Sequence, residues 1–192
     1  LRDLPTFSCL PDGAPSPFGS TIHLLPGASA SPMAALREMW ADVQAGRLPA
    51  EPTIEWYLHT TVDPSLRDEN GHHSSALFVQ SVPYEIDGST WDASLPGYVD
   101  RLLAICDRYA PGTSDLVADI MPLTPPGIEE HFGITGGHIH HVDNTVAFDQ
   151  RMPYFTGLDG LYAGSAGAHP AGSVIGAAGH NVARRILRDL QV

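Results

Sequence analysis

The run GLDGLYAGSAGAHPAGSVIGAAGHNVARRIL, from Gly157 to Leu187, decides how this chain is read. Its opening, LDGLYAG (Leu158 to Gly164), reads as a strand that ends in a turn. A Gly/Ala/Ser loop follows, and GAAGHNVARRILRDL (Gly176 to Leu190) reads as a helix. Val182, Ile186 and Leu190 share one face of that helix, and Arg184, Arg185 and Arg188 load its last turns, where cations complement the dipole. Strand, glycine loop and helix start form a geometry suited to an anion. Small residues let the backbone come close, and unpaired N–H groups at the positive end of the dipole face the ligand. The glycines fall at 164, 167, 172, 176 and 179, which is not GxGxxG, and no acidic residue follows at the ribose distance. The same pattern also serves close packing of a helix on a strand, so the residues leave both readings open.

Upstream, the chain reads as strands interleaved with helices. Residues 1–20 are rich in Pro and Gly and read as a connecting segment. Ser20 to Leu25 suits a short strand. Ser31 to Gln44 is a helix with Ser31 as N-cap, Pro32 at the first helical position and Gly46 past its end. Met33, Leu36, Met39, Trp40 and Val43 form its apolar stripe. Thr53 to Thr61 and Ser74 to Pro83 read as strands, the latter with Ala76 and Phe78 on one face. Pro96 to Tyr109 reads as a second helix that buries Tyr98, Leu102, Ile105 and Tyr109, with Asp100, Arg101 and Asp107 outward. Leu116 to Pro122 reads as a strand and Pro125 to Phe132 as a helical turn. The expected fold is α+β, a mixed sheet covered by helices on one face.

Composition narrows the function. The 192 residues are 43% hydrophobic and 17% charged, with 19 Gly and 17 Pro, a globular profile rich in turns. The net charge is −12 and all ten Lys/Arg positions are Arg, so nucleic acid is not an expected partner, and neither a Schiff-base nor a P-loop lysine is available. Cys9 and Cys106 fit no metal or CxxC spacing and read as free thiols in a reducing compartment. Gly160 to Gly179 is too polar and too glycine-rich for a transmembrane helix. The expected location is cytoplasmic, with peripheral membrane association left open.

The Gly157–Leu187 run resembles the C-terminal flavin motif of phytoene dehydrogenase-related proteins, in the FAD-dependent amine oxidase and phytoene desaturase superfamily. It looks closest to the pyridine nucleotide-disulfide oxidoreductase domain-containing protein 2 group. LTPPGIEEHFGITGGHIHH (Leu123 to His141) carries the same likeness, as do STIHL, AGRLP, TTVDPSL, FVQSVPYEIDG and YAPG in that order. The resemblance implies a substrate-side domain over residues 20–142 and a return, over 143–192, to a split FAD-binding domain. It implies FAD contacts from Gly164, Ser165, Gly167, Gly172, Val174, Ile175 and Gly176. It also implies hydride transfer from a small organic or apolar substrate to flavin. Such relatives usually show Cys-Gly-Ser-Gly where this chain has Gly164 to Gly167, and Arg where it has His180. Their N-terminal βαβ unit with GxGxxG has no counterpart in residues 1–60. The chain alone is therefore expected to bind FAD weakly or not at all, and to need a missing N-terminal half or a partner subunit.

The histidines are the remaining candidates. His169 lies in the flavin loop and His141 in GGHIHH; next to a flavin, either could orient substrate or relay a proton. Flavin chemistry does not require a protein base, so neither is assigned as catalytic. If GGHIHH is a strand, His138 and His140 share a face and could chelate a metal with His72, His73 or His169. No carboxylate or cysteine completes such a set, and no metal is expected. Two other readings stay open. One is a non-catalytic interaction or homo-oligomerisation module, and the other is a His-rich metal protein.

Overall fold

The computed structural model describes every residue except 12, 15, 16, 27–30, 144, 171–174 and 192. The described contacts divide the chain into two units, Leu1–Pro122 and Leu123–Val192. The boundary at 142 expected from the sequence falls inside the second unit, which holds the GGHIHH segment.

The first unit is built on a three-stranded sheet in the order β1 (Ile22–Leu24), β2 (Ile54–Leu58), β3 (Ser75–Val79). Both pairings are antiparallel, so the mixed sheet expected from the sequence is antiparallel throughout its described strands. Register explains the core. Ile22, Trp56 and Leu77 align across the sheet, as do Leu24, Ile54 and Val79. Side chains alternate with period two, so these residues share one face and pack with Phe7, Phe18, Tyr98, Leu102 and Ile105. Trp56 is 1% exposed, touches the rings of Phe7 and Phe18, and donates its indole N–H to Ser75 Oγ at 3.0 Å. Ala76 and Phe78 do share a face, but it is the other one. There Glu55 accepts from the Tyr57 hydroxyl and the Gln80 amide. That bond to Glu55 first, and burial second, raise the Tyr57 pKa.

Helix α1 (Pro32–Gln44) forms where expected, with Ser31 Oγ accepting from Ala34 N. Its stripe does not all go inside. Met39 is buried against Thr53, whereas Met33 and Trp40 remain 57% and 55% exposed. Helix α2 (Trp91–Tyr109) starts five residues before the expected position. Thr90 caps it by accepting from Ala93 N, and Trp91 is anchored by its indole N–H on Tyr84 O at 2.9 Å. Pro96 thus sits inside the helix and gives up one intrahelical bond near its start. Tyr98, Leu102 and Ile105 are buried as expected, and Cys106 joins them. Asp107, expected to point outward, turns back to cap Ser114 through its backbone N–H and hydroxyl. The strand expected at Leu116 to Pro122 is a short 3-10 turn, Ser114–Leu116, followed by irregular chain.

In the second unit, α3 (Pro125–Phe132) is capped by Thr124 Oγ1 and closed by left-handed Gly133. Gly137 then crosses α3, and a Cβ there would lie 2.5 Å from Pro125 O. The second unit has no named strand among its described residues; Leu158 to Gly164 contributes one antiparallel bridge, Phe155 to Tyr162. Helix α4 (Ala177–Asp189) closes the unit. No described helix is long and apolar enough to cross a membrane.

Candidate cofactor-contact site

The glycine loop is held from several sides within the second unit. Gly164 lies against α4 so closely that a Cβ would sit 2.3 Å from Val182 Cγ1. Its glycine is explained by packing, the second of the two readings of the loop. Gly167 lies beside His141 and Val142, with room for a Cβ at 3.9 Å from each. Ala168 is fully buried and forms a parallel bridge with Met152. The carbonyl of His169 accepts from the Tyr154 hydroxyl at 2.7 Å, and that hydroxyl in turn accepts from Asn181 Nδ2 of α4 at 2.9 Å. At the far end of α4, Asp189 accepts from the Tyr162 hydroxyl and from Arg185 Nε. The Arg185 bonds hold the Asp189 carboxyl below the usual carboxylate range, while burial and then the Asp189 bond push Tyr162 up.

Helix α4 is preceded by Gly176 at its N-cap, whose φ of 65° is left-handed. Among the described residues no side chain caps the first turn, where Ser31, Thr90 and Thr124 do so for the other helices. Ser165, Ile175 and Gly176 are exposed. Gly172 and Val174, two of the expected contacts, lie outside the described residues.

One residue stands out electrostatically. Arg151 is 7% exposed, and its Nε and Nη1 are buried without a hydrogen-bond partner among the described residues. Its guanidinium lies 5.1 Å from the centre of the Phe148 ring, and the His169 ring meets Phe148 edge-on at 5.3 Å. A cation–π contact offsets only part of the cost of a buried charge. The sequence reading missed Arg151, although a lone Arg in the run VAFDQRMPYF was a usable signal.

The other histidines separate. His141 has a φ of 60° and the GGHIHH segment is a turn, because Gly136 and Gly137 both adopt left-handed conformations. The strand on which a shared face for His138 and His140 was conditional is therefore not formed. The His138 and His140 rings meet at 5.6 Å, and His138 Nδ1 accepts from His140 N. Among the described residues, no three His, Cys, Asp or Glu side chains are grouped to hold a metal. His72 is paired with Asp68, and His73 with Thr60 Oγ1.

Comparison with known proteins gives a likeness to pyridine nucleotide-disulfide oxidoreductase domain-containing protein 2. The rat protein is 34% identical over 167 residues, and the mouse protein 35% over 169. Each match covers 81% of this chain, and the chain spans 28% of the length of either relative. No family model matches the sequence. No solved structure matches it either. The chain is thus related in sequence to part of proteins that bear an oxidoreductase name.

Proposed function

We propose that this chain is the substrate-side and C-terminal flavin-contact part of an FAD-dependent oxidoreductase. The carrying observation is the buried Arg151 side chain, whose Nε and Nη1 have no hydrogen-bond partner among the described residues, beside the loop that leads to the start of α4. The likeness to the rat and mouse proteins supports the oxidoreductase half of the reading.

The residues fit a flavin in two respects. An uncapped helix start and a buried cation both favour an electron-rich heterocycle or an anionic group. Gly176, Ile175 and Ser165 are open at the surface, while Gly164 is taken up by α4. When bound, FAD supplies the acceptor for a hydride leaving a substrate carbon. Around it, Arg151 would hold negative charge, and Phe148 would fix both Arg151 and His169. His169 and His141 would orient substrate or hold a proton at an imidazole nitrogen. A small organic or apolar substrate would lie against residues of the 20–142 region, and a polypeptide carrying the GxGxxG unit would complete the site.

The test is a visible absorption spectrum of the purified chain, alone and on titration with FAD. A weak, saturable perturbation of the flavin bands is expected, and it is lost in Arg151→Met. No perturbation at excess FAD removes the flavin-contact role from this chain. In that case the exposed apolar residues of the second unit, among them Leu158, Leu161 and Ile175, favour an interaction module. Self-association by sedimentation would then be expected.

A further inference from the structure

The first unit ends in chain that is extended but unpaired. Past the turn Ser114–Leu116, residues 117–122 run without turn or bend, Val117 has φ −63° and ψ 122°, and none of them has a positive φ. Arg2 fixes where this segment starts. Its backbone N–H donates to Leu116 O at 2.7 Å, and its Nη1 donates to Val117 O at 2.7 Å and to Asp115 O at 3.1 Å. Beyond that clamp residues 118–122 are exposed, Ile120 by 44% and Met121 by 78%. In extended chain the N–H and C=O of one residue point to the same edge, and successive residues alternate. On one edge, Ile120 N is taken by Asp119 Oδ1 at 2.8 Å, and Pro122 has no N–H to give. On the other, the backbone N–H and C=O groups of Asp119 and Met121 have no hydrogen-bond partner among the described residues.

We propose that residues 117–122 are a strand that adds to an open sheet edge on the further polypeptide of the flavin reading; the inference rests on that reading for the partner, not for the strand. Another strand complements an edge of alternating donors and acceptors flanked by Ile120 and Met121, whereas water satisfies the backbone but not the two apolar side chains. Alternation gives the added strand two faces, Ala118, Ile120 and Pro122 on one and Asp119 and Met121 on the other. The Arg2 clamp holds the start of the segment beforehand, which lowers the ordering cost of pairing. A second copy is the poorer occupant. Each chain carries a net charge of −12, and a self-paired edge this short buries far less than the roughly 1,000 Å² that a stable dimer needs. The relatives supply the alternative: the chain spans 28% of their length, which leaves polypeptide of the same proteins to offer the edge and to add contact elsewhere.

The experiment mixes the 192-residue chain, without FAD, with short overlapping synthetic peptides that cover the rat relative outside the matched 167 residues. Binding is followed by backbone amide shifts and by hydrogen exchange. One stretch of the relative is expected to saturate and to slow exchange of the Asp119 and Met121 amides. Met121→Pro removes an N–H from the open edge and should weaken that peptide by about tenfold or more. Ile120→Pro removes an N–H from the edge already closed and should keep wild-type affinity. Both sites are exposed, and a circular dichroism melt checks that both variants fold. No peptide that protects Asp119 and Met121 overturns the proposal, as does equal loss of binding in the two variants. Protection of the same amides that rises with the concentration of the chain alone assigns the edge to a second copy and overturns it too. The flavin titration is read separately: peptides that fail while the FAD bands still respond remove the strand partner alone, and peptides that bind while the bands do not respond remove the flavin role alone.

Discussion

Replacing Gly164 by alanine separates the two uses of a glycine loop. The added Cβ would lie 2.3 Å from Val182 Cγ1 and 3.1 Å from Val182 Cβ. Carbon atoms prefer roughly 3.5–4.0 Å, so more than about 1 Å must be recovered. Rotation of Val182 cannot recover it. A valine in a helix has one strongly preferred rotamer, and its Cβ is itself too close. Helix α4 must therefore move away from the loop, at a cost of about 1–3 kcal/mol for overpacking. Val182→Ala removes both γ-carbons of a half-buried side chain and costs about 1 kcal/mol by itself. The double variant should be more stable than the sum of the singles by about 1 kcal/mol or more. Urea unfolding followed by circular dichroism measures the cycle, and hydrogen exchange of the α4 amides localises it. A stable Gly164→Ala, or strict additivity with Val182→Ala, refutes the packing account. Gly164 would then be a glycine for ligand approach.

Two further outcomes are expected. Burial, and then the charge of Arg67, lower the His73 pKa below its ordinary 6.5, against a smaller opposing effect of Asp3. Its folded value lies below its unfolded one, so the unfolded chain binds the extra proton: stability is full above pH 6.5 and falls as pH drops towards the folded value. The slope is at most about 1.4 kcal/mol per pH unit, and His73→Gln should remove it in urea titrations between about pH 7.5 and about pH 5; an unchanged slope in the variant contradicts the assignment. Thiol labelling should be split, because Cys9 is exposed whereas Cys106 is buried and its thiol is pushed up to about 12 by burial. One equivalent of a disulfide reagent should react in the native chain and the second only on unfolding; two fast equivalents would show that α2 is not packed as described.

What was legible in the sequence was local chemistry. Ser31 with Pro32 marked α1, the proline start at Pro125 marked α3, and the Val182/Ile186 spacing marked α4. Errors came where a local cue met a stronger contact elsewhere. Pro96 looked like a helix start, but Thr90 and Trp91 supply a better one upstream. The HxH alternation of His138 to His140 left a strand open, and two left-handed glycines before it make a turn instead. Ala76 and Phe78 were paired on one face correctly, yet which face is buried depends on register with Trp56 and Ile54, which no single strand encodes. Of the site, the loop was visible as a string of glycines. Arg151 was visible only as a lone Arg in an apolar run, and its burial without partners for Nε and Nη1 among the described residues emerges on folding.

The two units differ in how they close, and the difference bears on the proposed role. Leu1–Pro122 buries Trp56, Ile54, Leu58, Leu102 and two phenylalanines in one cluster. In Leu123–Val192 the buried described residues are Ala168, Ala178 and Arg151. Two alanines bury little apolar area, on the order of 1 kcal/mol each, whereas a buried guanidinium without full hydrogen bonding costs several. Meanwhile Phe148, Met152, Leu158, Leu161, Ile175 and Leu190 are all more than half exposed. A unit with an orphan charge inside and its large apolar side chains outside does not balance by itself. A cofactor on Arg151 and a further polypeptide surface on the apolar side chains would correct both at once. That pairing is why the flavin-contact reading is favoured over a free-standing interaction module, which accounts for the exposed leucines but not for Arg151 Nε and Nη1, unpartnered among the described residues.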